Sequence, residues 1–318
     1  AGCIKKFSKN NNFALGFTFS FPVLQTGIAS GFLTRWTKDF TVSGVEGKDV
    51  VGLLNKSLKN KGVNNIKIAA LVNDTVGTLV ARSYKDSNCD IGVIFGTGTN
   101  ACYREKMAKI IKWKAGNSSA RHMIINIEWA NFNKLKSTLY DGILDNSSGN
   151  PGFQVLEKMV SGMYLGEIVR LIISDFTKKY ALFGIKRPTI FVKKYAFKTE
   201  YMSLIEINQF KKAGLAGLSL KEKLLIKRIC RVVSRRGARI SAAALGAVIT
   251  KIDPYLSHKH PVAVDGSLYQ KHPAFSKNIR IALKELFGLK AERIKIRQTP
   301  DGSGIGAAII ASVAVNNN

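Results

Sequence analysis

The sequence predicts an α/β fold, and three observations lead to that prediction. Short apolar runs in the first half of the chain end in turn-rich polar segments, as strands do in α/β proteins, where ligands lie at strand ends. Longer stretches in the second half carry apolar residues at helical spacing. The 318 residues amount to about two domains and can bury a substantial core.

The first half is expected to supply most of the strands. A strand is predicted at about 15–21, where phenylalanines alternate with Thr and Ser until Pro22 ends the run. A helix is predicted over 47–61. The apolar runs 66–72 and 91–95 predict two further strands, each followed by a turn of small polar residues.

The second half is expected to be mainly helical. Apolar positions recur at helical spacing over 157–174, and Ser219 with Glu222 forms a capping-box pattern that opens another helix. The Ala- and Gly-rich stretches 240–250 and 304–315 predict two buried helices. Between them, the apolar run 262–264 predicts a strand that ends in Asp-Gly-Ser.

Composition excludes several classes of protein. With 46% apolar and 22% charged residues, the chain is not a disordered one. The net charge is +28, from 49 basic and 21 acidic residues, yet the basic residues are dispersed and form no recognised nucleic-acid module. A solvated basic surface is therefore favoured over a polyanion-binding protein, while weak association with an anionic membrane surface stays open.

Cysteine and histidine usage adds two further expectations. The four cysteines are too few and too scattered for a disulfide framework, which favours a reducing compartment such as the cytoplasm. No Cys-x-x-Cys or His-Glu-x-x-His pattern occurs, so no metal site made by the protein is expected. No targeting or membrane-spanning segment stands out.

Three turns at strand ends could carry chemistry. In the segment 73–78, Asp74 could accept a proton from a substrate hydroxyl or could simply cap the next turn. The turn Gly96-Thr97-Gly98-Thr99-Asn100 could present amides to phosphate oxygens or could be an ordinary hairpin. Asp265-Gly266-Ser267 could border the base or ribose of a ligand or could be a plain turn. Taken singly, each turn favours the structural interpretation.

Taken together, these segments resemble the hexokinase family, which includes glucokinase, from about residue 15 to residue 314. The motifs stand in the family's order and at its approximate spacing. They are LGFTFSFP (15–22) with Gln25, WTK (36–38), NDTVGT (73–78), GTGTNACY (96–103), EW (128–129), NPG (150–152), EKM (157–159), GMYLGE (162–167), VSRR (233–236), VDGSLY (264–269) and DGSG (301–304).

The resemblance implies an actin-like ATPase (ribonuclease H-like) fold, an α/β sugar kinase of two domains with a central cleft. It divides the chain into residues 1–73, the remainder of the small domain with the sugar-binding motif; 74–300, the large domain; and 301–318, a C-terminal helix that returns to the small domain. The implied activity is ATP-dependent phosphorylation of a glucose-like hexose at its 6-hydroxyl, the first step of glycolysis.

The resemblance also implies the site residues. Asp74 would be the catalytic base. The hexose would be held by Ser20, Thr37, Lys38, Asn73, Asp74, Asn100, Glu128 and Glu157. ATP would be bordered by Gly96, Thr97, Gly98, Thr99, Gly162, Met163, Thr199, Ser203, Gly266, Ser267, Leu268, Tyr269 and Gln270. Mg²⁺ would be held mainly by the ATP phosphates. The expected partners are the hexose and ATP, with no specific nucleic acid.

One departure from the family bears on activity. The family's first phosphate loop, Asp-x-Gly-Gly-Thr, does not occur in these 318 residues. We therefore expect a truncated small domain, in a chain that is either a fragment or the product of a degenerate gene, with little activity of its own. A non-catalytic sugar-binding or regulatory homologue is the alternative. Smaller departures are Asp39 beside Lys38, Ala130-Asn131 after Glu128-Trp129, and Ile305.

Overall fold

The protein's structure is a computed structural model, which describes residues 11–37, 40–111, 120–183 and 188–316. It is an α/β fold, as predicted, with its strands in three sheets. The strands are β1 (Phe13–Thr18), β2 (Val23–Gly27), β3 (Ser30–Leu33), β4 (Ile66–Val72), β5 (Ile91–Phe95), β6 (Thr99–Lys106), β7 (His122–Asn126), β8 (His260–Asp265) and β9 (Ile294–Gln298).

The largest sheet has the order β7-β6-β5-β8-β9. Strands β5, β8 and β9 are parallel, so their carboxyl ends lie at one edge, while β5, β6 and β7 are antiparallel neighbours. In the other two sheets, β1 pairs in parallel with β4, and β2 and β3 form an antiparallel hairpin. The turns predicted to carry chemistry follow β4, β5 and β8 and therefore lie at carboxyl strand ends.

Helices surround these sheets. They are α1 (Val50–Asn60), α2 (Asp74–Ser83), α3 (Leu139–Ser147), α4 (Val155–Val160), α5 (Leu165–Tyr180), α6 (Thr199–Glu206), α7 (Leu220–Ile252), α8 (Ser267–Lys271), α9 (Pro273–Phe287) and α10 (Gly302–Asn316). No helix in the described ranges is both long and apolar enough to cross a lipid bilayer. The described cysteines, Cys89, Cys102 and Cys230, are buried free thiols.

Two helix predictions were wrong in extent. The stretch 157–174 is not one helix, because the chain breaks at 161–164 between α4 and α5. The break places Gly162 and Met163 against the β5–β6 turn, where their amides donate to the carbonyls of Gly96 (2.8 Å) and Thr97 (3.2 Å). Conversely, the stretch 240–250 is the second half of α7, a 33-residue helix that starts at the predicted capping box of Ser219 and Glu222.

The described residues form a main hydrophobic core and a smaller, separate one. The main core lies around the five-stranded sheet, where Phe95 stacks near Trp129 (6.1 Å) and Tyr269 (6.3 Å). A smaller core joins β3, α1 and β4 through residues such as Leu33 and Val50. Each core packs independently. The two sides of the central cleft that the resemblance implies therefore belong to different packing units.

Helix α10 lies between the parts of the chain that contain the two cores, and its backbone comes very close to the backbone of both α2 and β1. It packs against α2, β1 and β4. A Cβ added at Gly306 would lie 1.9 Å from the Gly77 carbonyl oxygen, and one at Gly16 would lie 2.1 Å from the Ala307 carbonyl oxygen. Glycine is therefore required at these crossings. The domain boundaries at 73 and 300 stay predictions.

A buried histidine contacts two carboxylates at the amino-terminal ends of the parallel strands of the main sheet. His260, at the start of β8, lies between two carboxylates: its Nδ1 is 3.0 Å from Asp90 and its Nε2 is 3.3 Å from Asp253. The hydrogen bond to Asp90 raises the pKa of His260, and the Asp253 carboxylate adds to that effect. Protonated His260 therefore stabilises the junction of β5, β8 and the end of α7.

We expect His260→Gln to lower the free energy of unfolding by about 1–3 kcal/mol at about pH 5.5 and by less at about pH 8.5. A raised pKa in the folded state stabilises the protein below the unfolded pKa of about 6.5, and the stabilisation is lost as the pH rises through the folded pKa. Urea unfolding at both pH values measures the difference, with exposed His122→Gln as the control. Equal costs at the two pH values would contradict this assignment.

Candidate functional site

The turn after β4 places a carboxylate at the start of a helix. Asn73 is the N-cap of α2, and its Oδ1 accepts hydrogen bonds from the amide (2.9 Å) and the hydroxyl (2.6 Å) of Thr75. Asp74 is the first residue of α2, and its Oδ1 also accepts from the Thr75 amide at 2.8 Å. The capping role thus belongs to Asn73, while the Asp74 carboxylate lies at the cleft.

Seven of the eight residues predicted to hold a hexose come together in one polar cleft. They are Ser20, Thr37, Asn73, Asp74, Asn100, Glu128 and Glu157. The eighth, Lys38, lies outside the described residues, as does Asp39. Ser20 and Thr37 come from one side of the cleft and Glu128 and Glu157 from the other. We call the cleft that these seven residues line, together with their neighbours, the polar cleft. The free space within it is about 40 Å³.

Hydrogen bonds orient the carboxylates of the polar cleft. The Asn100 side-chain amide donates to Glu128 Oε1 and to Asn126 Oδ1, both at 2.8 Å, and the Asn126 amide donates to Glu128 Oε1 at 2.8 Å. On the neighbouring side, Glu157 Oε2 accepts from the Thr99 backbone amide at 2.9 Å. Oriented carboxylates and amides of this kind can recognise a ring of hydroxyls, each of which is both a donor and an acceptor.

Two residues of the cleft wall adopt a backbone conformation that is uncommon outside glycine. Glu128 has φ +53° and Gln154, the N-cap of α4, has φ +49°. The left-handed region costs free energy for residues with a Cβ, and such residues cluster at functional sites. In both cases the conformation turns the chain at the edge of the polar cleft.

A second, larger cavity lies beyond the β5–β6 turn, with about 580 Å³ of free space. Seven of the residues predicted to border ATP line it: Thr97, Gly162, Met163, Thr199, Ser203, Ser267 and Leu268. We call it the nucleotide cavity. Gly266 lies at its edge with φ +113°. Glycine is needed there for a second reason as well, because a Cβ would lie 2.4 Å from the Phe95 carbonyl oxygen. A volume of this size suits a mononucleotide.

Other residues predicted to border ATP do not line this cavity. Gly98 and Thr99 line the polar cleft instead. Tyr269 is 1% exposed and stacks near Phe95 in the core, and Gln270 donates through Nε2 to Asp265 Oδ1 at 2.7 Å. Gly96 contributes its carbonyl to the hydrogen bond with Gly162.

The sequence analysis missed some residues of both sites. Asn126 joins the network of Glu128, and its place there depends on the left-handed backbone of Glu128, which no local sequence pattern indicates. Lys198, Lys271 and His272 line the nucleotide cavity beside predicted neighbours. Burial lowers the pKa of His272 to about 4, so this imidazole is neutral near pH 7. The position of His272 in the nucleotide cavity depends on tertiary packing, and no local sequence pattern indicates it.

The described part of the chain holds no cluster of three or more His, Cys, Asp or Glu side chains suited to a metal ion. A bound molecule can supply further ligands to a divalent ion at the polar cleft or the nucleotide cavity. Phosphate oxygens are suitable ligands, because Mg²⁺ is commonly bound through substrate phosphates together with one or two carboxylates.

Comparison with known proteins gives concordant matches. Two family models described as hexokinase match residues 1–84 and 90–313. The chain is 40% identical to hexokinase-1 of Nicotiana tabacum, over 94% of this chain and 64% of the relative. It is also 40% identical to human hexokinase-2, over 99% of this chain and 36% of that protein. The chain thus spans less than two thirds of the length of these curated relatives.

A solved structure matches as well. Hexokinase from Schistosoma mansoni complexed with glucose superimposes with a TM-score of 0.86 at 33% sequence identity, covering 96% of this chain and 71% of that one. The resemblance seen in the motifs therefore extends to the three-dimensional arrangement of the chain.

Proposed function

The chain belongs to the hexokinase family and has its actin-like α/β fold, and we propose that it serves ATP-dependent phosphorylation of a glucose-like hexose at the 6-hydroxyl. One observation carries this proposal. The polar cleft and the nucleotide cavity meet at a single turn, where Thr97 lines the cavity while Gly98 and Thr99 line the cleft. A hexose in the cleft and a nucleotide in the cavity would therefore meet at the β5–β6 turn.

In this proposal the residues of the polar cleft have different roles. Asp74 accepts the proton of the 6-hydroxyl as that oxygen attacks the γ-phosphate. Glu128 and Glu157, already oriented by Asn100 and by the Thr99 amide, accept hydrogen bonds from ring hydroxyls. A sugar with a misplaced hydroxyl would leave buried polar atoms without partners, which is a strong source of selectivity.

The remaining residues complete the cleft. Further donors and acceptors to the sugar come from Asn73, Ser20 and Thr37. Lys38 is also proposed to bind the hexose. Ser20 and Thr37 belong to one packing unit of the protein, and Glu128 and Glu157 belong to the other.

ATP is the proposed second substrate, bordered by the residues of the nucleotide cavity, with Thr97 and its glycine neighbours near the phosphates. Support comes from the size of the cavity. Gly162 and Gly266 allow their segments to pack closely against the backbone of Gly96 and Phe95 at its edge. Mg²⁺, carried by the ATP phosphates, would neutralise their charge when bound. The cytoplasm, including the outer surface of mitochondria, is the proposed compartment. The excess basic charge is proposed to form a solvated surface, while weak association with an anionic membrane surface stays open.

A second candidate function is sugar binding without catalysis, as in a regulatory homologue. These 318 residues do not contain Asp-x-Gly-Gly-Thr, the family's first phosphate loop. A base without this phosphate contact can bind sugar yet leave ATP poorly aligned, and misplacement by about 1 Å can cost about 10²-fold in rate. We therefore expect low turnover from the 318 residues alone.

The test follows glucose and Mg-ATP by ³¹P NMR, with the 318-residue chain and with a chain extended by a segment that contains Asp-x-Gly-Gly-Thr. Formation of glucose 6-phosphate and ADP by the extended chain is the expected result. Glucose binding without product in either chain would favour the second candidate. Neither binding nor product in either chain would contradict both.

A further inference from the structure

The excess basic charge is concentrated on one part of the chain. Residues 207–239 hold ten basic side chains and one acidic one, and so carry +9 of the net charge of +28. They comprise the loop before α7 and the first half of α7. Within the described residues, none of these basic side chains lines the polar cleft or the nucleotide cavity. The concentration of charge therefore has no part in the function proposed above.

A row of exposed cations runs along the first half of α7. Residues three, four and seven apart share one face of a helix. The exposed basic residues that follow this spacing are Lys221, Arg228, Arg231 and Arg235, and we call them the basic row. The row is about 21 Å long at a rise of 1.5 Å per residue. Among the described residues, no carboxylate forms an ion pair with Lys221, Arg228 or Arg235.

Aliphatic side chains are exposed on the same face of α7. Leu224 is 59% exposed and Val232 is 61% exposed, while Leu220 at the start of the helix is 71% exposed. Exposed aliphatic groups among cations fit a partner that presents both apolar and anionic groups. The backbone of a nucleic acid presents phosphates without apolar side chains, so this surface matches a nucleic acid less well.

A groove opens where this face meets the loop before α7. It has about 510 Å³ of free space. Its walls combine apolar and basic side chains, from Phe210, Leu220 and Leu224 and from Lys211, Lys223 and Lys227. No carboxylate is among the described residues that line it. We call it the α7 groove. Because it is concave and partly apolar, it can take an inserted side chain as well as an anion.

Two lysines of the α7 groove are held in place. The Lys223 ammonium donates to the Ala216 carbonyl at 2.8 Å, and the Lys227 ammonium donates to the side-chain oxygen of Asn208. An ammonium has three N–H donors, so each keeps two for a further acceptor. Since both ammoniums are fixed at the groove wall, they suit a carboxylate that enters beside an apolar side chain better than a flat layer of lipid headgroups.

We propose that the α7 groove and the basic row bind an acidic segment of a partner protein. Leucine-like side chains of that segment enter the groove, and its carboxylates pair with the row. An acidic amphipathic helix of about 14 residues matches the length of the row. A surface of this length is small for a protein interface, so the binding is of the transient kind. The inference goes beyond the proposed function and does not rest on it.

Fluorescence anisotropy of a labelled peptide tests the proposal with the 318-residue chain. The probe is a peptide of about 18 glutamate and alanine residues that carries leucines at helical spacing, at an ionic strength of about 0.15 M. Joint substitution Arg228→Gln and Arg235→Gln is expected to weaken binding about five- to tenfold, because two exposed ion pairs are lost. Leu224→Ser is expected to weaken it about three- to fivefold, because an apolar contact in the groove is lost.

The controls separate this surface from charge in general. Joint substitution Lys56→Gln and Lys59→Gln removes the same charge from exposed positions of α1 and should leave the affinity for the peptide unchanged. A peptide with serine in place of leucine should bind wild type and Leu224→Ser equally. All the variants should keep the thermal unfolding and the glucose affinity of wild type, because the substituted residues are exposed and lie outside both sites.

Three results would overturn the proposal. One is the absence of peptide binding to wild type, and another is equal affinity of wild type and the Arg228→Gln, Arg235→Gln variant. The third is tighter binding, lost in that same variant, to vesicles of phosphatidylcholine and phosphatidylserine or to a short DNA duplex, which would assign the surface to a membrane or to a nucleic acid. Each of these results leaves the proposed phosphorylation of a hexose standing, since glucose binding is measured separately.

Discussion

Substitution of Asp74 by asparagine in the extended chain is expected to lower kcat by about 10²- to 10⁴-fold, with little change in glucose affinity. Asparagine keeps the size of the side chain and an Oδ1 that can accept from the Thr75 amide, a bond of 2.8 Å in the native protein. It cannot accept the proton of the 6-hydroxyl. The local start of α2 should therefore survive while proton transfer is lost.

A coupled assay for ADP release, with glucose and Mg-ATP, measures this effect. Asp86→Asn is the matched control, since Asp86 follows the opposite end of α2 and accepts from the Asn88 amide. The control should keep wild-type turnover. If Asp74→Asn kept kcat within about twofold, Asp74 would not be the base.

The second large effect concerns stability. Gly306→Ala is expected to lower the free energy of unfolding by about 3 kcal/mol or more, at the upper end of overpacking costs. A Cβ at this position would lie 1.9 Å from the Gly77 carbonyl oxygen, and both contacting groups are helix backbone that cannot swing away. The whole helix α10 or α2 must shift, and α2 begins with Asp74.

Urea unfolding measures this cost, and Gly142→Ala provides the matched control. Gly142 lies within α3, and nothing stands within 4 Å of a Cβ added there. The control should therefore stabilise the protein by about 0.5–1 kcal/mol, as Ala does in helix interiors. Equal effects of the two substitutions would contradict the close crossing of α10 and α2.

Features with a local cause could be predicted from the sequence. The strands Ile66–Val72 and Ile91–Phe95 have the predicted bounds, because each is a run of mainly apolar residues bounded by polar turns. The capping box at Ser219 is confirmed, with hydrogen bonds in both directions between Ser219 and Glu222. The motifs of the hexokinase resemblance likewise brought together seven cleft residues from six separate segments of the chain.

Features with a tertiary cause could not be predicted. The break between α4 and α5 exists because Gly162 pairs with Gly96, more than sixty residues away. The continuity of α7 was missed because its composition changes along its length while its helical period does not. The left-handed backbone of Glu128 depends on neighbours that no local pattern indicates.

The most direct test of the central claim, that the polar cleft holds a hexose, is isothermal titration of the 318-residue chain with glucose. Wild type and the control Glu292→Ala, altered at an exposed residue, should bind glucose equally well. Glu128→Ala should bind about ten- to a hundredfold more weakly, because it loses charge-assisted hydrogen bonds to the sugar. Equal glucose affinity in wild type and Glu128→Ala would contradict the account.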